Sequence, residues 1–356
     1  MSDAADRGPL DIGAVPMDPA EDMEQANDRL YQLGLTDGLP VIPPTERRVE
    51  QMLAGRNPGQ EYAVLAPARD SATARRLAVC AVMAGCQPAH FPLVIAAVQA
   101  VAQPQFNLLG IQTTTGTATP LVIVNGPVVK RLGLNAVGNA LGPGERGNAT
   151  IGRALAFALR NIGGAIPGRI DMATMGQPGK YTMCVAENED ASPWEPLHVS
   201  RGYSPEESTV TVVGASGTME MKDDRSSTAE GVLTTFAASM TSAGAVGGAG
   251  LLSGGEPLLL IAPEHAHIIG RSLSRKQAQQ FLHERARLPL HALGAAVRDH
   301  LLEVMDVPAG EVPELRVCER PDQIMLAVVG GVGIKSTYIP TWGGSTIAVT
   351  CPVDSL

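Results

Sequence analysis

The chain has 356 residues, 44% of them apolar and only 3% aromatic, and its formal net charge at pH 7 is −9. This length supports a sizeable core, and a core of Ala, Val, Leu and Ile with few aromatic rings is typical of α/β layers. The acidic balance and the lack of basic clusters disfavour nucleic acid and anionic membranes as partners.

The N-terminal region is predicted to form a tail and an arm. Residues 1–25 are acidic, rich in Ala and Pro, and without apolar periodicity, which predicts a disordered tail. Residues 26–54 form a predicted extended arm between two short helices, in which prolines fix the backbone and Thr45 caps the second helix. Asp37, in a turn of this arm, fits a solvated turn residue as well as a functional carboxylate.

Cysteine usage and hydropathy predict a cytoplasmic protein. The 5 cysteines show no disulfide-framework spacing, which favours reduced, buried thiols. The N-terminus lacks the basic start and apolar block of a signal peptide. The most apolar region, residues 77–102, is interrupted by prolines and by His90, so it fits two core helices better than a membrane span.

From residue 55 onward, predicted strands and helices alternate, which predicts an α/β fold. In the first half, strands are predicted at 62–66 and 121–124, and helices at 72–84, 92–101 and 128–132. In the second half, strands are predicted at 209–214 and 257–261, and helices at 227–241 and 265–273. Another helix, at 149–162, carries the apolar stripe Ile151, Ala154, Leu155, Ala158, Leu159 and Ile162 and is expected to be buried.

Short matches between the halves predict a diverged tandem duplication. The string TPLVIVNGP at 119–127 parallels EPLLLIAP at 256–263, and a Gly–Lys–Thr-like turn occurs in each half. We therefore expect two similar α/β units, at 55–205 and 206–356. Clefts between domains are common ligand sites, so Lys180 and Lys335 are expected to line a shared cleft. Trp194 and Trp342, which follow these lysines, are expected to border it.

The segment from residue 141 to 202 gathers most of the candidate chemistry. A Gly- and Pro-rich loop precedes a helix that begins near Asn148, and the first turn of a helix carries unpaired N–H groups. With Arg146 just ahead, this junction is predicted to hold an anion. Lys180 and Lys335, each on a Gly-rich turn, are expected to pair with the same kind of group.

A polar run after Lys180 supplies the candidate catalytic residues. Lys180 itself becomes a base if it is desolvated. The run contains Cys184, Glu187, Glu195 and His198 within fifteen residues. Glu187, Glu195 and His198 are expected to move protons, and Cys184 is the candidate thiol. A solvated acidic loop is the alternative interpretation.

The sequence does not match the known motifs for phosphate or dinucleotide binding, and its candidate metal ligands are not spaced as in helix-borne or knuckle sites. The turn GQPGKY at 176–181 and the turn GGVGIKST at 330–337 lack P-loop spacing, and neither contains GxGxxG. Cys184, Glu187, Glu195 and His198 are metal-ligand types, but their spacing matches no helix-borne or knuckle pattern. His265 and His267 would share a face only on a strand, whereas the local pattern is helical. The sequence assigns no metal or cofactor.

Several segments resemble a family of uncharacterised bacterial proteins. They include TDGLPVIPPT at 36–45, NALGPG at 139–144, NATIGRA at 148–154 and the run from PGK at 178–180 to SPWE at 192–195. The resemblance covers most of residues 30–200. It implies an association with small proteins that carry a Cys- or selenocysteine-Gly-Ser-Cys motif. This chain has no Cys-x-x-Cys motif, so such thiol chemistry would lie on the partner.

These patterns predict a cytoplasmic α/β protein, expected to be a homo-oligomer, that acts on a small anionic metabolite as an enzyme or a catalytic-complex subunit. Lyase, hydrolase and thiol-dependent redox reactions all remain open. The alternative is a non-catalytic partner subunit that organises a small thiol or selenol protein.

Overall fold

Two four-stranded sheets lie against each other at the centre of the fold, and helices cover their outer faces. The computed structural model describes residues 12–14, 22–242, 244–246, 255–304 and 314–354. Within these residues the layers follow the order helices, sheet, sheet, helices. The predicted α/β character is confirmed by this mixture of helices and strands.

The first sheet has the strand order β12-β5-β3-β4. Its strands are β3 (Thr119–Asn125), β4 (Cys184–Ala186), β5 (Thr209–Ala215) and β12 (Val349–Pro352). β3 runs parallel to β4 and antiparallel to β5, and β5 is antiparallel to β12.

The second sheet has the order β10-β7-β11-β6 and repeats the same pattern of pairing. Its strands are β6 (Met219–Lys222), β7 (Leu258–Ile261), β10 (Met325–Val328) and β11 (Lys335–Ile339). β7 runs parallel to β10 and antiparallel to β11, and β11 is antiparallel to β6.

Alternation along the central strands explains the layers. Leu121 and Ile123 of β3 join the core between the sheets, whereas Val122 and Val124 join the core under the first helical layer. Successive side chains of a strand point to opposite faces, so a strand that is apolar at every position must be covered on both sides. β7 follows the same rule, with Leu258 and Leu260 inside and Leu259 and Ile261 outside.

The helical layers are formed mainly by six helices. α3 (Ala74–Ala84), α4 (Phe91–Val101) and α7 (Arg146–Asn161) cover the first sheet. α9 (Ala229–Met240), α10 (Pro263–Gly270) and α11 (Arg275–Arg285) cover the second. The other described helices are α1 (Met23–Gln32), α2 (Glu46–Leu53), α5 (Leu108–Thr113), α6 (Val128–Leu132), α8 (Leu197–Ser200) and α12 (Ala295–Val304). Two small antiparallel sheets of two strands each pair β1 (Glu61–Leu65) with β2 (Asp70–Thr73) and β8 (Arg287–Pro289) with β9 (Glu314–Arg316).

The stripe predicted on α7 is confirmed. Its six apolar residues are all at most 5% exposed. The side chain of Thr45 makes no capping hydrogen bond, although Thr45 is the N-cap residue of α2 as predicted.

The predicted boundaries differ from the packing in two places. The first sheet combines β3 and β4 from residues 55–205 with β5 and β12 from residues 206–356. Ile12 lies in the tail predicted to be disordered, yet it is 1% exposed in the core beside α3, and the Gly13 carbonyl accepts a hydrogen bond from Arg75. That part of the tail is therefore packed. Residues 1–11 and 15–21 lie outside the described residues.

Among the described residues, no single helix has both the length and the apolar character needed to cross a bilayer. The consecutive helical segments 88–101 and 104–113 reach this length and apolar character only when taken together, and the chain bends by 76° at the break between them.

Candidate functional site

A cavity of about 500 Å³ lies beside α7. Its walls come from the inner part of α7, the start of β3, the loop up to residue 181, and Asp37 of the N-terminal arm. Most of the lining is apolar, including Leu155, Phe157, Met175 and Pro178. A pocket of this size with a few polar groups is typical of small-molecule sites.

Close backbone contacts hold the loop against α7. A Cβ atom on Gly152 would lie 2.5 Å from Thr182 Oγ1 and 2.7 Å from the Met183 nitrogen, so only glycine permits this approach. The Thr182 hydroxyl donates to the Ala149 carbonyl at 2.7 Å. Gln177 donates to the carbonyls of Thr117 (2.7 Å) and Ala215 (3.1 Å) and so fixes the loop to the sheet.

Lys180 is a predicted catalytic residue that the structure places in this cavity. It ends a short 3-10 helix, and its Nζ lies 2.7 Å and 2.6 Å from the two carboxylate oxygens of Asp171. Both side chains are largely buried and both line the cavity. The ammonium group of Lys180 is therefore already paired.

Arg160 supplies a second cation to the lining. Its Nη2 donates to the Gly34 carbonyl at 3.0 Å, and its Nε is buried without a partner. Burial lowers the pKa of Arg160, and the nearby Asp37 carboxylate opposes that shift. Within the described residues, Arg160 forms no ion pair.

Asp37 is held at the cavity by Arg153 of α7. The two oxygens of Asp37 accept from Arg153 at 2.7 Å and 2.8 Å, and Arg153 also donates to the Pro40 carbonyl at 3.0 Å. Asp37 is therefore a partly buried ion-pair residue of the cavity lining rather than a solvated turn residue.

A second polar cluster lies where β3, β4 and β10 end. Glu187 directly follows β4, and its Oε2 accepts from Asn125 Nδ2 at 2.5 Å and from the Leu197 N–H at 2.8 Å. The side chain is 1% exposed, and this burial raises the pKa of Glu187 to about 7 despite those hydrogen bonds and the nearby Arg275 charge.

Glu189 and His198 complete this cluster. Glu189 Oε1 accepts from Asn125 Nδ2 at 3.0 Å and from the Gly126 N–H at 2.7 Å, and it lies 3.7 Å from His198 Nδ1. His198 is fully buried, and neither ring nitrogen has a hydrogen-bond partner in the described part of the chain. Asn125 and Glu189 thus link Glu187 to His198, and both Glu187 and His198 are sealed from solvent.

At the start of α7, where an anion site is predicted, the chain supplies a carboxylate of its own. The Glu145 carboxylate caps the helix by accepting from the Gly147 N–H at 3.2 Å. Arg146 is exposed and donates to the Gly85 carbonyl at 2.9 Å. Asn148 is buried and exchanges two hydrogen bonds with the Asn135 backbone. These two bonds give the Asn148 side chain a structural role, because they tie α7 to the loop at residue 135.

Trp194 and Glu195 belong to a different region. The Trp194 indole donates to the Leu273 carbonyl at 3.0 Å, and the Arg275 guanidinium lies 5.9 Å from the ring centre. Glu195 is exposed, and its backbone carbonyl accepts from Arg275. Glu195 and Arg275 line a separate cavity of about 370 Å³.

Lys335 and Trp342 are not found with Lys180. Lys335 is exposed at the start of β11, and its Nζ lies 3.6 Å from Glu220. Trp342 packs closely over Gly110 and Gly344. The cavity that holds Lys180 is lined only by residues between 37 and 181, so within the described chain it is not a cleft shared with Lys335.

Cys184 is buried at the start of β4 and does not line the cavity. Burial raises the pKa of the Cys184 thiol far above its ordinary value. The thiol is therefore protonated at neutral pH and has no open approach for a substrate.

Metal-binding geometry is not found in the described part of the chain, where no group of three or more His, Cys, Asp or Glu side chains could hold an ion. His265 uses both ring nitrogens, at 2.8 Å from Ser336 Oγ and 2.9 Å from the Asp223 carbonyl. His265 is a satisfied core residue.

The sequence did not point to Arg160, Asp171 or Gln177. An arginine in the last turn of a helix is usually explained by the helix dipole, and loop residues such as Asp171 and Gln177 carry no spacing signal. Only the fold brings these three residues to the same cavity.

Comparison with family models, with curated proteins and with solved structures found no match for this chain.

Proposed function

We propose that this protein is an enzyme, or a subunit of a catalytic complex, that binds a small anionic metabolite in the cavity beside α7. The observation that carries the proposal is the position of Arg160, a cation with no ion pair among the described residues, in the wall of a mainly apolar cavity of about 500 Å³ where Lys180 is paired with Asp171. Low-polarity surroundings strengthen the attraction between a cation and a bound anion.

The Lys180–Asp171 pair supports proton transfer at this site. Asp171 lies at the cavity wall as a candidate proton acceptor, and Lys180, which donates to both of its oxygens, can stabilise negative charge that develops on the ligand. Both lyase and hydrolase reactions use such steps. Thiol-dependent redox chemistry would need a thiol from a partner, because Cys184 is sealed in the core.

The binding site can be tested with a cavity-filling variant. The full chain would be screened by calorimetry and thermal shift against small carboxylates, sulfates and phosphate esters. Ala156 lines the cavity, so Ala156→Phe should abolish binding by occupying the space. Ala149→Phe, at an exposed position of the same helix, should bind normally. Absence of binding by any small anion, or unchanged binding in a folded Ala156→Phe protein, would overturn the proposal.

An apolar rim supports the alternative of a partner subunit that organises a small thiol or selenol protein. Met175, at 88% exposed, Met172, Ile170 and Tyr181 are exposed along the loop that forms the cavity wall. Exposed apolar patches of this kind mark interaction sites. A small protein with a Cys-Gly-Ser-Cys motif should then bind the wild type and not Met175→Glu. Equal binding to both would count against a docking role for the rim.

We also propose that the two sheets descend from a duplication. The matched strings fall on β3 and β7, which hold the same place in their sheets. The pairs β4 and β10, and β5 and β11, correspond in the same way. The remaining edge strand is β12 in the first sheet and β6 in the second. β12 follows the other strands of its sheet along the chain, whereas β6 precedes those of its sheet, so the two sheets differ in strand order along the chain. Homo-oligomer formation stays a proposal alongside it.

A further inference from the structure

The charges of the cavity wall leave one cation without a carboxylate. Both oxygens of Asp171 accept from the single Nζ of Lys180, and the two oxygens of Asp37 accept from two nitrogens of Arg153. The two-nitrogen pair of arginine with a carboxylate is strong and directional. Arg160 has no ion pair among the described residues. Together with Arg153, which pairs with Asp37 from outside the lining, the charged groups at the cavity therefore sum to one positive charge.

The guanidinium of Arg160 is fixed in place but not saturated. A hydrogen bond from Nη2 to the carbonyl of Gly34, in the N-terminal arm, anchors the guanidinium. The neighbouring Asn161 side chain also binds this arm, by donating to the Leu35 carbonyl at 2.9 Å. Nη1 makes no hydrogen bond within the described chain. Burial lowers the pKa of Arg160, which shows that its charged form lacks full solvation. A ligand carboxylate would replace that missing solvation.

Among the described residues, the rest of the wall offers no second unpaired cation. Leu155, Phe157, Met175 and Pro178 are apolar, and the two ion pairs are internally balanced. A ligand with a second negative group would leave that group unpaired against apolar surface, which is costly. An uncharged ligand would leave Arg160 uncompensated.

We infer that the ligand is a monocarboxylate with an apolar body, whose carboxylate pairs with Arg160 while its body lies against Leu155 and Met175. This inference rests on the proposed function. It excludes dicarboxylates and phosphate monoesters as preferred ligands, because both carry more negative charge than Arg160 can balance.

Four probes with the same six-carbon chain test the charge requirement on the full-length protein. They are hexanoate, adipate, hexyl phosphate and hexanol, with dissociation constants measured by calorimetry at one ionic strength. Hexanoate should bind at least about tenfold more tightly than each of the other three, a difference of about 1.4 kcal/mol. Equal or tighter binding of adipate or hexyl phosphate would overturn the inference.

Variants at residue 160 test the anchor. Arg160→Gln should lower hexanoate affinity to that of hexanol while leaving hexanol binding unchanged, and Arg160→Lys should retain part of the preference. Arg131→Gln, at an exposed arginine, is the matched control and should behave as wild type. Unchanged hexanoate affinity in Arg160→Gln would overturn the assignment of the anchor.

The outcomes separate this inference from the proposed function. Binding of other small anions, blocked by Ala156→Phe, with no preference for hexanoate would defeat the monocarboxylate assignment alone. Failure of every small anion to bind would defeat both.

Discussion

Glu187 brings a titratable group to the contact between the two sheets. Its carboxyl group joins the ends of three elements, through Asn125 of β3, the Leu197 N–H at α8, and the Val328 N–H of β10 at 3.4 Å. Burial raises the pKa of Glu187 to about 7. A buried carboxyl group with such a pKa couples the stability of the fold to pH.

The free energy of unfolding is expected to fall between about pH 4.5 and pH 7. In that window the unfolded chain has released the proton of Glu187, whereas the folded chain still holds it, so rising pH favours unfolding. The total effect is at most on the order of 3 kcal/mol, from about 1.4 kcal/mol per pKa unit. Above about pH 7 this contribution is constant.

Glu187→Gln should remove this part of the pH dependence, because glutamine resembles the protonated acid and does not titrate. The measurement is urea unfolding at pH 5 and pH 8 for wild type and variant. Glu195→Gln, at an exposed glutamate of the same polar run, should keep the wild-type slope. The same pH slope in Glu187→Gln would show that another group causes it.

At the residue scale, the sequence pointed to candidate ionisable residues but not to the residues with which they form ion pairs or hydrogen bonds. Lys180 stood out because glycines and prolines surround it, and the structure places it in a cavity. Its partner Asp171 lies nine residues away in an irregular loop, where no periodicity relates the two. Glu187 and His198 were identified from composition alone, and composition carries no signal for burial.

α7 positions the candidate site, and Gly152 allows its close contact with the loop. A Cβ atom there would overlap Thr182 Oγ1 and the Met183 nitrogen. Helix propensity alone predicts that Gly152→Ala stabilises the protein by about 1 kcal/mol. Overpacking costs about 1–3 kcal/mol, and one of the overlapping atoms belongs to the backbone.

We therefore expect Gly152→Ala to destabilise the protein by up to about 2 kcal/mol, the overpacking cost less the propensity gain, and to weaken ligand binding, since the loop must move. Chemical denaturation gives the first value and calorimetry the second. Ala149→Gly, on the exposed face of α7, should lose about 1 kcal/mol through propensity alone and bind normally. An increase in stability in Gly152→Ala would contradict the close contact.

Long elements with one clear period were predictable, and short strands were not. The stripe on α7 and the apolar runs of β3 and β7 gave correct elements within a few residues. β4 has three residues and β6 has four, too few for a period to show. Such strands are stabilised by pairing with strands that lie far away in sequence, and a local sequence pattern does not indicate which strands will pair.

At the scale of the whole molecule, the sequence predicted the class of fold but not its layers. The runs of β3 and β7, apolar at nearly every position, predicted two strands of an α/β fold. They did not indicate that one face of each sheet meets the other sheet. Strand partners are fixed by long-range pairing, so the placement of β5 and β12 beside β3 could not be derived from spacing.

This pairing makes the predicted division at residues 205 and 206 testable. A chain ending at residue 205 would lack β5, which pairs with β3 along all seven residues from Thr119 to Asn125. It would also lack β12 and the whole second sheet, exposing Leu121 and Ile123 of the core between the sheets. The loss of apolar burial on that face removes a main source of stability.

We expect neither residues 1–205 nor residues 206–356 to fold alone. Each fragment should show no cooperative transition in calorimetry, whereas the full chain should unfold in a single transition with matching calorimetric and van't Hoff enthalpies. Co-expression of the two fragments is the control, because the same chain break is present but all strands are available. The reassembled pair should regain one transition at a lower temperature than the intact chain. Cooperative unfolding of residues 1–205 alone would instead show that the first unit is independent and that β5 and β12 are dispensable for it.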